Sequence, residues 1–92
     1  PEAYTLLTDM ANRNASNPQV HKLLAQAAGA TGHTLQTHTA MAQYYFLNGY
    51  TNQAIEQLKL AEKSPRLSSY EIARIQARIG DLEELLELEK LE

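Results

Sequence analysis

The residues here best suited to chemistry are three histidines and a run of carboxylates, and their spacing argues against a catalytic centre. His33 and His38 stand five apart, and His21 lies a helix away. Two metal ligands on one helical face need i, i+3 or i, i+4 spacing, as in the HExxH pattern of zinc proteases. Neither spacing occurs among these imidazoles, and no carboxylate is set beside them at helical spacing. They read as a turn residue and as core or interface rings. Asp81, Glu83, Glu84, Glu87, Glu89 and Glu92 crowd the end of the chain. Such a cluster, with no acid–base partner nearby, is a solvated helix end. No GxSxG, P-loop or GxGxxG motif is present. The expectation is a chain with no catalytic, cofactor-binding or metal residue of its own, and not an enzyme.

Length and charge narrow the choice further. Ninety-two residues with no cysteine make one small domain without disulfides or Cys-based zinc fingers. A chain this short buries only about 60–65% of the surface its unfolded form exposes, so a deep enclosed site is not expected. The net charge of −3 hides an asymmetry. Residues 1–80 carry seven Lys/Arg against five Asp/Glu, while residues 81–92 carry one Lys against six Asp/Glu. The body is mildly basic and the tail acidic, which gives no nucleic-acid footprint. No run approaches the 18 or so apolar residues of a membrane span. The chain opens on Pro1 rather than Met, without a signal-peptide pattern, and reads as a piece of a longer protein.

The elements that must position any functional side chain are helices. Asn17-Pro18 puts a proline at a helix start, where its missing N–H costs nothing. Gly32 and Gly49 stand where left-handed C-terminal caps are needed. Ser64-Pro65 closes the next segment, and Ser68 or Ser69 caps the last helix with Glu71 in its first turn. The implied helices are roughly 2–14, 18–31, 34–48, 51–63 and 69–89. No stretch alternates with period two, so strands are not expected.

A 34-residue register runs through them. It aligns Tyr4 with His38 and Ile72, Leu7 with Met41 and Ile75, and Ala11 with Tyr45 and Ile79. It also pairs Val20 with Ala54, Leu24 with Leu58, and Ala27 with Ala61. The best unit, residues 35–68, resembles the tetratricopeptide repeat. Ala42, Tyr45, Gly49, Ala54, Leu58 and Ala61 take that family's small, aromatic, turn, small, large and small positions. His38 replaces the usual tryptophan, and Pro65 falls one residue early. Residues 1–34 are a degenerate repeat, and 69–90 a terminal helix that runs on past Glu83. A second frame, through Leu24, Ala25, Ala28 and Gly32, also fits, so the helices lining the concave face stay open. The resemblance implies an all-α fold: a single domain over 1–92 of antiparallel helix hairpins, stacked as a short right-handed solenoid with a long C-terminal capping helix.

In tetratricopeptide arrays, peptides lie along the first helices of each unit. The matching positions here are Thr5, Asp9 and Asn12, then Gln36, Thr39, Gln43 and Phe46, then Tyr70. This set is mostly neutral and hydrogen-bonding, and holds no Lys/Arg clamp. It suits extended or unfolded polypeptide. Each of these residues also reads as ordinary solvated surface. Among the consecutive Tyr44, Tyr45 and Phe46, the frame puts Tyr45 in the core, Phe46 on the groove side, and Tyr44 against the preceding hairpin. All three can equally belong to the core.

A closer likeness rests on Ala42-Gln43-Tyr44-Tyr45, Gly49, Ala54-Ile55-Glu56-Gln57-Leu58, Ala61, and Tyr70 with Ala73-Arg74-Ile75-Gln76-Ala77-Arg78-Ile79. Over about residues 18–86 the chain resembles the C-terminal repeat region of bacterial periplasmic M48-family metalloproteases, the group related to the β-barrel assembly-enhancing protease. The resemblance implies a substrate- or partner-binding appendage in the periplasm. Its partners would be polypeptide clients, outer-membrane assembly proteins and the parent's own protease domain. Zinc would belong to an upstream domain, since no HExxH occurs here.

The last helix sets Ile72, Ile75, Ile79, Leu82 and Leu86 at alternating steps of three and four, a seam for another helix. Leu85 and Leu88 widen it. The plain reading is a capping helix with a charged outer face. The alternative is a structural element that forms a homodimer through this helix. Arg74 and Arg78 read as a solvated salt-bridge face, or as facing Glu71 or a ligand.

Overall fold

A computed structural model describes residues 2–91. Pro1 and Glu92, the two ends of the expected 1–92 domain, lie outside the described residues. The described chain is all-helical, with α1 (Glu2–Arg13), α2 (Pro18–Ala30), α3 (Thr34–Leu47), α4 (Thr51–Ala61) and α5 (Ser69–Lys90). Their packing spans 44 × 28 × 18 Å.

The boundaries have local causes. Asn17 Oδ1 accepts from Gln19 N–H at 3.0 Å, and Pro18 opens α2, where its missing N–H costs nothing. Gly32 and Gly49 adopt φ of 76° and 84°, which other residues avoid. At these turns His33 N–H reaches back to Ala28 O and Tyr50 N–H to Tyr45 O, both at 2.8 Å, satisfying orphan carbonyls. Before α5, Glu71 N–H donates to Ser68 Oγ at 3.0 Å and Ser68 N–H to Glu71 Oε1 at 2.9 Å, a reciprocal capping box. α5 runs unbroken through Glu83. α4 ends at Ala61, earlier than the proline at 65 alone implies.

Each helix packs on its neighbours in sequence. Short connections turn α2, α3, α4 and α5 back on one another. Lys22 Nζ lies 5.5 Å from the Tyr44 ring centre while Gly29 adjoins Thr37, so α2 and α3 are antiparallel. His38 Nδ1 donates to Gln57 Oε1 at 2.9 Å across α3 and α4. Gln76 meets Glu62, and Thr51 meets Glu89, which sets α5 antiparallel to α4. It follows that α5 runs in the same direction as α3.

The main core joins Ala42, Ala54, Ile55, Leu58, Ala61, Ile75, Ile79 and Leu82. Ala54 and Ala61 are fully buried, so small side chains bring α4 close to its neighbours. Of the expected α5 seam, Ile75, Ile79 and Leu82 are buried and Leu86 half-buried. Ile72 departs from it: at 37% exposure it points away from the core. Leu85 packs partly on the core, whereas Leu88 is exposed. Among the described residues no helix is long and apolar enough to cross a membrane.

Candidate functional site

α3 and α5 approach through side chains alone, and the space between them is a groove of about 660 Å³. Leu35, Gln36, Thr39, Ala42 and Gln43 form the α3 wall. Their spacing of one, three or four residues keeps them on one helical face. Tyr70, Glu71, Arg74, Ile75, Arg78 and Leu82 form the α5 wall, and Leu58 of α4 contributes to the floor. Buried Ala42, Leu58, Ile75 and Leu82 make the base apolar. The rim is polar.

Four residues assigned to a groove from sequence, Gln36, Thr39, Gln43 and Tyr70, line this one. Thr39 Oγ1 donates to Gln36 O at 3.4 Å, a long bond within its own helix. The Gln36 and Gln43 carboxamides make no side-chain hydrogen bond among the described residues. Each therefore brings a free donor pair and a free acceptor to the rim.

Phe46, for which both a groove and a core place were open, is half-buried and packs against the core. The Arg78 guanidinium covers it, 4.7 Å from the ring centre. A ring at this place on α3 meets a side chain of α5 before it meets solvent. Tyr45 is half-buried against the core, tilted against Tyr44 and edge-on to Tyr50. Tyr44 carries Lys22 of the preceding helix over its face.

The positions matched from sequence hold no Lys or Arg, but two arginines of α5, read from sequence as a solvated face or as facing Glu71 or a ligand, stand beside them. Arg74 and Arg78 both line the groove. Neither forms a salt bridge among the described residues, where the ion pairs are Arg13–Asp9 and Lys90–Glu87. Each guanidinium instead lies over an aromatic ring, Arg74 at 5.8 Å from Tyr70 and Arg78 at 4.7 Å from Phe46. Sequence held a signal for this: Tyr70, Arg74 and Arg78 recur at steps of four, which puts them on one face.

Thr5, Asp9 and Asn12 do not join the site. They belong to α1, which packs on α2, and Asp9 pairs with Arg13 at 2.9 Å. Nor do the histidines converge. His21 is buried and donates to Ala15 O at 2.8 Å, His33 stacks on Tyr4 with ring centres 4.1 Å apart, and His38 bonds Gln57. Among the described residues no three His, Cys, Asp or Glu side chains come together as a metal site.

No protein-family model matches the chain, and no curated protein matches it. The groove must therefore be read from its own chemistry. An open, apolar-floored channel with free carboxamides on one wall and guanidinium groups on the other can hold a chain by backbone hydrogen bonds and charge. It presents no nucleophile–base pair.

Proposed function

We propose that this chain is a non-catalytic protein-interaction module that holds a segment of polypeptide in the α3–α5 groove. The observation that carries this reading is the pair of free Gln36 and Gln43 carboxamides above an apolar floor. An extended peptide leaves backbone amides that need partners, and such a wall supplies them without demanding a particular side chain. In this reading the helices form a short right-handed tetratricopeptide-type solenoid. The 34-residue register supports it, as does the parallel course of α3 and α5, the first helices of successive units.

The likeness of the Tyr70–Ile79 run to M48-family repeat regions extends the proposal. The chain would serve as the client- or partner-binding repeat region of a larger periplasmic zinc metalloprotease. Its mechanism would be positional: holding a client raises that client's effective concentration near an active site carried elsewhere.

The test is binding of a reduced, carboxymethylated client to the Gln36→Ala/Gln43→Ala variant. Affinity should fall several-fold with the melting temperature unchanged, because both side chains are half-buried and make no internal bond. Unchanged affinity would remove the groove from the mechanism. A second reading, self-association through α5, draws on Leu88 at 56% exposure beside Leu91 at 83%. Sedimentation at rising concentration separates the two, since only the second makes a dimer that Leu88→Glu abolishes.

A further inference from the structure

We infer that the groove selects an extended acidic peptide, one with carboxylate side chains at alternate positions. This inference rests on the groove reading above and adds the class of ligand. Arg74 and Arg78 stand one helical turn apart, which separates them by about 6 Å along α5. Alternate residues of an extended chain project to the same side about 6.6–6.8 Å apart. Two carboxylates in acidic-x-acidic order therefore meet both guanidinium groups in register.

The two arginines are prepared for such a ligand. Arg74 lies 5.8 Å from the centre of the Tyr70 ring and Arg78 4.7 Å from that of Phe46, contacts that steady the side chains. No carboxylate engages either guanidinium among the described residues, so their N–H donors remain for a carboxylate of the ligand. The acid that lines the groove, Glu71, is committed elsewhere: its Oε1 accepts the Ser68 N–H of the capping box. With two guanidinium groups against one carboxylate, the lining carries a net positive charge. The facing α3 wall is neutral, so Gln36 and Gln43 serve the peptide backbone while α5 reads its side chains.

The acidic-x-acidic order belongs to a strand: on a helix, residues two apart do not share a face, so the two carboxylates would not meet both arginines.

Fluorescence anisotropy with a labelled peptide Gly-Glu-Val-Glu-Val-Glu-Gly, beside its Gln-for-Glu counterpart, tests the inference on the full chain. The Glu peptide should bind about tenfold tighter, an advantage that shrinks as salt rises. Arg74→Gln/Arg78→Gln should bring the two affinities together, with melting lowered by no more than several degrees as the two ring contacts are lost. Equal binding of both peptides to the unaltered chain overturns the acidic selectivity and leaves the groove reading intact. If neither peptide binds and the Gln36 and Gln43 amide NMR signals do not move, the groove reading falls with it. Self-association that the Arg78→Gln change abolishes would make a second copy the occupant and overturn the proposal.

Discussion

The two ends of this helical stack are held together by different means. Around α3, α4 and α5, large side chains meet: Ile55, Leu58, Ile75, Ile79 and Leu82 close on one another over the small Ala42, Ala54 and Ala61. Around α1 and α2 the buried apolar positions are Ala11, Val20, Ala25 and Ala28, while Leu6, Met10 and Leu23 face outward. α1 is tied on by its packing against α2 and by the Tyr4–His33 stack. Apolar burial contributes about 25 cal/mol per Å², so alanines give each helix little to hold it with. The half that carries the groove is thus the better anchored. A site that must present Arg74, Arg78, Gln36 and Gln43 at fixed spacing gains from sitting there.

Leu82→Ala should show the difference most strongly. Leu82 is 2% exposed and joins the core to the groove base. Its truncation should cost about 3 kcal/mol, transfer and cavity terms together. For a domain of this size the melting point should fall by about 15 °C. Calorimetry reads the fall, and hydrogen exchange sharpens it: protection in α4 and α5 should collapse, while α1, already exchanging through local opening, changes little. Uniform loss across all five helices would mean that the two halves unfold as one, and the contrast would be of packing without consequence.

Phe46→Ala is the intermediate case. A half-buried ring of this size, carrying a guanidinium on its outer face, should cost about 2 kcal/mol, below the range of a fully buried Phe. The same change frees the Arg78 side chain, so affinity for an acidic peptide should fall beside stability. A variant that melts normally would return Phe46 to the groove lining, where its register on α3 first pointed.

That register shows what could be read from residue order and what could not. Pro18, Gly32, Gly49 and Ser68 placed the helix ends to within one or two residues, because capping chemistry is local. Gln36, Thr39 and Gln43 could be grouped because one helix's periodicity is enough to set them on a shared face. The surroundings of Phe46 and of the arginines stayed open for the opposite reason. Whether Phe46 meets water depends on where α5 lies, and whether Arg74 pairs with Glu71 depends on Ser68 having claimed that carboxylate. Both are contacts between elements, and a helical pattern is silent about them. Ile72 fits the same account: it keeps the seam's spacing but lies at the start of α5, beyond the end of α4 that Glu62–Gln76 marks.

The smallest effect belongs to the other half. Leu6, 62% exposed, and Met10, 44% exposed, stand i, i+4 on α1 beside the solvent-facing Asp9–Arg13 pair. Replacing both by Gln removes little buried area, and Gln is a good helix former, so stability should change by at most about 0.5 kcal/mol. Urea unfolding checks this with an unchanged slope as well as an unchanged midpoint. A loss above about 1.5 kcal/mol would show that these side chains are covered in solution by a second molecule, because nothing among the described residues covers them. In that event α1 would be an interface, and the weak packing of this half would reflect a missing neighbour instead of a loose end.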